Sequence, residues 1–195
     1  MKKISAIVLA VSSIFFLTVT NVLAEWSAGI SVSHGVYQAS GTETQEGDNE
    51  KNKLNDKAGQ FTYPSIFLEY NLGRVSIGLD VIPSSVVSEE ASRTDIAQGD
   101  TGDTTDLGTN TVKVKVSKHI TLYGLLPIMD TGVFVRAGIS RMDVATQESL
   151  STGSAYPDKD GVKGKHVGLG YQHDTDGAFF IRAEIGYSAY EQIKL

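Results

Sequence analysis

Apolar residues alternate with small, polar or charged ones in seven stretches of this chain, the period of two that marks β-strands with one apolar face. Residues 26–37 set Trp26, Ala28, Ile30, Val32 and Val36 against Ser27, Gly29, Ser31, Ser33, Gly35 and Tyr37. Residues 61–72 carry Ile66, Leu68, Tyr70 and Leu72 on one face and Ser65, Phe67, Glu69 and Asn71 on the other, with Pro64 expected near one strand end. After a tight Leu72-Gly73 corner, Val75, Ile77, Leu79 and Val81 alternate with Ser76, Gly78, Asp80 and Ile82, giving the clearest hairpin in the chain. The fourth stretch, 111–125, opposes Val112, Val114, Val116, Ile120 and Leu122 to Lys113, Lys115, Ser117, His119, Thr121 and Tyr123. Lys118 breaks that alternation: it lies on the apolar face unless a bulge shifts the register or its ammonium reaches out to a polar layer. The last three stretches oppose Val133, Val135, Ala137 and Ile139 to Phe134, Arg136, Gly138, Ser140 and Met142; Val167, Leu169 and Tyr171 to His166, Gly168, Gly170 and Gln172; and Phe179, Ile181, Ala183, Ile185 and Tyr187 to Phe180, Arg182, Glu184, Gly186 and Ser188.

Connections alternate as the residues do. Long polar segments at about 39–60, 84–110 and 146–163 are separated by short ones at 72–73, 127–132 and 174–177. That order predicts an all-β, antiparallel up-and-down meander with one plain end and one elaborate end, as in transmembrane barrels with short periplasmic turns and long external loops. A soluble closed barrel would use the same period with its apolar face inward. The polar face favours the membrane reading. Its many glycines and serines would weaken a solvated sheet, whereas inside a narrow barrel they leave room for charges that pair across the lumen.

The first residues supply an independent sign. Met1-Lys2-Lys3 is cationic, 4–20 is largely apolar, and Val22-Leu23-Ala24 is a small-residue cleavage site, so 1–24 reads as a secretory signal peptide and 25–195 as one barrel domain. A retained membrane helix is the weaker alternative, because Ser12, Ser13, Thr18 and Thr20 interrupt the run. Cleavage leaves 171 residues and, with Lys2 and Lys3 gone from 17 cations against 23 acids, a net charge of −8. Such a charge suggests no nucleic-acid partner. The 20 glycines outnumber 4 prolines, and there is no cysteine, so closure of the sheet rather than disulfides has to supply stability.

The stretch Pro64-Ser65-Ile66-Phe67-Leu68-Glu69-Tyr70-Asn71-Leu72-Gly73, continued by Arg74-Val75-Ser76-Ile77-Gly78-Leu79-Asp80, resembles the small outer-membrane β-barrel proteins of the OmpA/OmpX type. The resemblance rests on pattern over essentially all of 25–195. It implies eight antiparallel strands, export through the general secretory pathway and insertion in a Gram-negative outer membrane by the assembly machinery. The implied surroundings are outer-membrane lipid and lipopolysaccharide, with roles from anchoring to adhesion at the cell surface. One departure stands out: seven strands are evident where single-chain bacterial barrels have an even number. The seventh runs upward to Tyr190-Glu191-Gln192-Ile193-Lys194-Leu195. The expectation is a fragment lacking an eighth strand, the alternatives being closure by a loop segment or edges shared in an oligomer; otherwise the protein is expected to be a monomer.

Candidate chemistry is weaker than the architecture. Glu69, Asp80 and Glu184 face the polar side with Lys113, Lys115, Arg136 and Arg182, and His119 is nearby, so an ion-pair network plugging the lumen is expected. A narrow channel for small solutes is the alternative. In 84–110, Glu89, Glu90, Asp95, Asp100, Asp103 and Asp106 oppose Arg93 alone, which predicts a mobile acidic loop; the spacing of the last three aspartates does not match an EF-hand. A lipid-modifying enzyme needs a nucleophile beside a base. On their own strands His34 and His166 have none, His119 has Ser117 and Thr121 but faces the plugged lumen, and His173 is at a turn. Accordingly no catalytic, cofactor-binding or metal-ligating residue is assigned, no cofactor is expected and the protein is read as a non-enzyme with a structural or adhesive surface role.

Overall fold

The computed structural model spans all 195 residues, and those described are 3–10, 17–20, 26–44, 51–88, 90–96, 107–149, 158–175, 179–191 and 193–194. Twelve strands form one sheet: β1 Lys3–Ala10, β2 Leu17–Thr20, β3 Trp26–Thr44, β4 Lys51–Leu72, β5 Val75–Val81, β6 Val86–Val87, β7 Ala91–Ile96, β8 Leu107–Pro127, β9 Val133–Ser149, β10 Lys159–Asp174, β11 Phe180–Tyr190 and β12 Ile193–Lys194. The seven alternating stretches are β3, β4, β5, β8, β9, β10 and β11, each antiparallel to the next in that order. The sheet curls on itself, because Phe67 on β4 and Phe180 on β11 bring their ring centroids within 6.4 Å although four strands lie between them along the order. The fold is an antiparallel up-and-down β-barrel of the eight-strand type.

The ring is completed from the other end of the chain. β1 pairs antiparallel with β11 on one side, Ile7 opposite Ala189, and with β3 on the other, Val8 opposite Tyr37. β2 continues beside β3, with Leu17 opposite Ile30. The segment expected to be a removable signal therefore occupies, in the full-length chain, the seat of an eighth strand. Apolar, partly β-branched sequence suits that place, and pairing on both sides satisfies the backbone groups that β3 and β11 would otherwise leave open.

Polarity decides the placement of the two faces. The apolar face is outside: Trp26, Ile30, Ile66, Leu68, Leu72, Ile77, Leu122, Ile139, Val167, Leu169 and Ile185 are all exposed. The polar face is inside, where Ser31, Ser65, Glu69, Asp80, Arg136, Arg182 and Glu184 are buried. This is the reverse of a water-soluble barrel.

Several expected details change. β3 reaches Thr44 and β4 begins at Lys51, β9 reaches Ser149 and β10 begins at Lys159, so the long connections are mostly hairpin extensions of the wall. The segment expected as a mobile loop is partly sheet, with Val86 opposite Val116 and Ala91 opposite Val112. Asp100, Asp103 and Asp106 lie outside the described residues. Pro64 is well inside β4 and opposite Val32, tolerated because the ladder to β5 already stops at Ile66 opposite Val81. At the first short turn Gly73 has φ 69° in the first of two central positions, as a tight hairpin of the II′ kind requires.

β8 carries the most consequential change. Ser117 opposes Asp143 and Ile120 opposes Arg141, so Lys118 and His119 together face one residue of β9 and form a bulge, with Lys118 at φ 51°. Below the bulge Thr121 and Tyr123 are buried as expected. Above it the register is inverted: Val116 opposes the buried Val144 and packs with Met142, Val162 and Tyr190, while Lys115 opposes Ala145 and Lys113 opposes Gln147 on the outer side. Lys113 and Lys115 are thus not lumen residues, and Lys113 instead pairs with Glu90 at 3.0 Å. A single inserted residue is sufficient, because a shift of one turns every side chain to the other face.

Candidate functional site: the charged lumen

Two charge clusters fill the barrel. Near the short-turn end, Arg182 on β11 grips Glu69 on β4 through two parallel hydrogen bonds, Nη1 to Oε1 at 2.6 Å and Nη2 to Oε2 at 3.0 Å. Both side chains are fully buried. Arg182 also donates to Gln172 Oε1, at 2.7 Å from Nη2 and 3.2 Å from Nε, and the rings of Phe180, Phe134 and Phe67 surround it at 4.8, 5.0 and 5.8 Å. Bidentate geometry, a second acceptor and aromatic faces together compensate a guanidinium removed from water.

The second cluster sits one layer higher. Arg136 on β9 lies 3.3 Å from Glu184 Oε2 and 4.0 Å from Asp80 Oδ2, with its guanidinium 3.9 Å above the ring of Tyr123. Ser65 donates to Asp80 at 2.9 Å and is hydrogen-bonded to Ser31. Tyr123 joins the layers, because its hydroxyl donates to Glu69 Oε1 at 2.7 Å while its ring carries Arg136. It can do so because Gly78, its cross-strand neighbour, has no side chain: a Cβ there would stand 2.3 Å from the ring.

Of the expected network, Glu69, Asp80, Glu184, Arg136 and Arg182 are brought together. Lys113 and Lys115 are not; His119 is buried nearby as expected, lining the same small void as Asp80, Arg136 and Glu184, and its Nε2 is 3.0 Å from the Tyr190 hydroxyl. His166 takes the place of the lysines: its Nε2 is 2.8 Å from Glu184 Oε1 and its Nδ1 is 2.9 Å from Ser188 Oγ. Its parity placed it on the inner face, but the partners come from β11 and could not be read along its own strand. The glycines beside it were the available signal. A Cβ at Gly186 would lie 2.6 Å from His166 Cε1 and one at Gly168 2.3 Å from Glu184 Oε1.

Ser188, His166 and Glu184 thus form a serine–histidine–carboxylate chain, the order used to activate a nucleophile. Its surroundings are confined. Glu184 is also engaged by Arg136, and the adjoining void is about 40 Å³, the size for water rather than a substrate. Val116, Met142, Val144, Val162 and Tyr190 form an apolar layer above it. Among the described residues no cluster of metal-ligating side chains is present. Comparison with models of known protein families found no match, and no curated protein matches the chain.

Proposed function

We propose that this protein is an outer-membrane β-barrel whose lumen is plugged by its own charges, acting as a structural or adhesive element through the hairpins at its elaborate end. One observation carries the reading: the barrel is apolar outside and charged inside. A closed barrel meets the requirement that every backbone group be satisfied within hydrocarbon, and exposed Leu, Ile and Val on every wall strand suit contact with acyl chains. Residues 1–24 act as the export signal in this reading, so the closure that β1 supplies in the full-length chain has to be taken over after cleavage by another strand between β3 and β11; the partners are outer-membrane lipid, lipopolysaccharide and the barrel assembly machinery, with the protein a monomer.

The single tryptophan makes the test direct. Trp26 is 53% exposed on the outer face, 4.8 Å from the ring of Tyr70. On folding into phospholipid vesicles its emission is expected to move to the blue and to be quenched by lipids brominated near the headgroup. Unchanged emission with vesicles present sinks the membrane reading. In planar bilayers the plug predicts no steady conductance; a stable ohmic channel would transfer the protein to the solute-channel class. The intact mass of the protein from an outer-membrane fraction then shows whether 1–24 are removed, and therefore what sits between β3 and β11 in the cell.

A further inference from the structure

Outside the lumen, the outer face of β8, β9 and β10 changes chemistry at one level. Toward the short turns it is exposed apolar surface, Leu122, Ile120, Ile139 and Val167. Toward the long hairpins the next outward positions are Lys118, Arg141, Lys165 and Lys163, all exposed, and the register puts Lys163 opposite Arg141 and Lys165 opposite Ile139. These four cations, with Ile120, Leu122 and Ile139, line an open groove of about 970 Å³.

Two bulges build the groove. The one in β8 at Lys118 has a counterpart in β10 between Lys159 and Val162, where Gly161 has φ 70°; the first faces Met142 of β9 from one side and the second faces the adjacent Asp143 from the other. Asp143 ties them together, its Oδ2 2.8 Å from Lys118 Nζ and its Oδ1 accepting from the Gly161 amide at 2.8 Å. Gly161 also makes room for Arg141, since a Cβ there would stand 2.7 Å from Nη2. With Lys118 engaged by Asp143, the remaining cations Arg141, Lys163 and Lys165 form no ion pair among the described residues. The groove holds four cations against Asp143, Asp160 and Glu191, a surplus of one on a chain whose net charge is −6.

We propose that this groove binds the phosphorylated saccharide headgroup of an acylated membrane lipid, with the acyl chains lying on Ile120, Leu122 and Ile139. The inference rests on the membrane reading above and names the lipid contact within it. Arg141 offers a planar fork to phosphate and the lysines offer point charges. Asp160 and Glu191 at the rim are acceptors for the hydroxyls of a sugar. A border where cations meet apolar surface is where such a headgroup and its chains part company.

The test uses the full-length chain folded in detergent and titrated with diphosphorylated lipid A, binding being read by native mass spectrometry. Replacing Arg141, Lys163 and Lys165 together by Ser is expected to lower affinity by on the order of a hundredfold, from about fivefold per cation. Lys113→Ser with Lys115→Ser, higher on β8, is expected to leave it unchanged. Circular dichroism verifies the folded sheet, and Lys163→Met with Lys165→Met serves if the triple variant fails to fold. Equal binding by the folded variant overturns the site. So does a wild-type chain that enters phosphatidylcholine vesicles, by Trp26 emission, yet shows no affinity for lipid A; in that case the barrel reading stands. A chain that enters no bilayer overturns both.

Discussion

The two charge clusters of the lumen are assembled from the same residue types and are held very differently. Glu69 and Arg182 meet through two short parallel bonds inside a ring of phenylalanines, and every strong donor of Arg182 has an acceptor or an aromatic face. Arg136 divides itself between Glu184 at 3.3 Å and Asp80 at 4.0 Å, its Nε has no hydrogen-bond partner, and Glu184 keeps His166 as a second contact. In the lower cluster each charge has a single opposite charge, with only the neutral Gln172 and Tyr123 beside the pair. The upper one is a shared arrangement in which the loss of one member leaves the others with alternatives, and energetic consequences should follow that difference.

The largest effect is expected for Arg182→Met, which leaves the buried Glu69 with the neutral Tyr123 hydroxyl and no cation; roughly 3–5 kcal/mol of stability should be lost, as for other buried pairs deprived of one partner. Urea unfolding of the barrel in detergent measures it. Adding Glu69→Gln to that variant should recover most of the loss, and failure to do so would mean that Arg182 acts by packing on the phenylalanines rather than by charge. Arg136→Met comes next and should cost less than Arg182→Met under the same conditions, because His166 and Ser65 still serve Glu184 and Asp80. If the two losses are equal, the contrast between the clusters has no energetic meaning.

Two smaller changes probe the residue that links the layers. Gly78→Ala pushes a methyl into the Tyr123 ring, and overpacking of this kind costs about 1–3 kcal/mol; it should perturb both clusters and thereby reduce the difference between Arg182→Met and Arg136→Met measured in its background. Tyr123→Phe removes only the hydroxyl bond to Glu69 and keeps the ring beneath Arg136, so a loss of about 1 kcal/mol is expected, with Arg136→Met unaltered in its cost. Near-ultraviolet circular dichroism follows the tyrosine environment in both variants.

Much of the architecture was legible along the chain. Strict alternation located all seven wall strands, and the parity of Glu69, Asp80, Arg136, Arg182 and Glu184 placed their carboxylates and guanidiniums on one face, which is enough to predict a charged interior. Lys113 and Lys115 show where such reading ends. They alternate without fault with Val112, Val114 and Val116, but the bulge at Lys118 and His119 turns their faces over. The odd placement of Lys118 signalled an irregularity, and only the register with the next strand decided that the irregularity was a bulge. The partners of His166 lay beyond such reading for a related reason. Both of its partners belong to β11, and contacts across strands depend on register, which alternation does not specify.

By itself, the sequence determined the period, the number of alternating wall strands, the order of short and long connections and, apart from the upper part of β8, the two faces of each strand, because these are properties of neighbours along a chain. The tertiary structure decided which face is inside, which charges meet, that β1 sits between β3 and β11, and that two bulges facing Met142 and Asp143 from opposite sides of β9 gather cations on the outer wall. Each of those depends on the register between strands and on how the sheet closes, and one inserted residue is enough to change the side on which a charge appears.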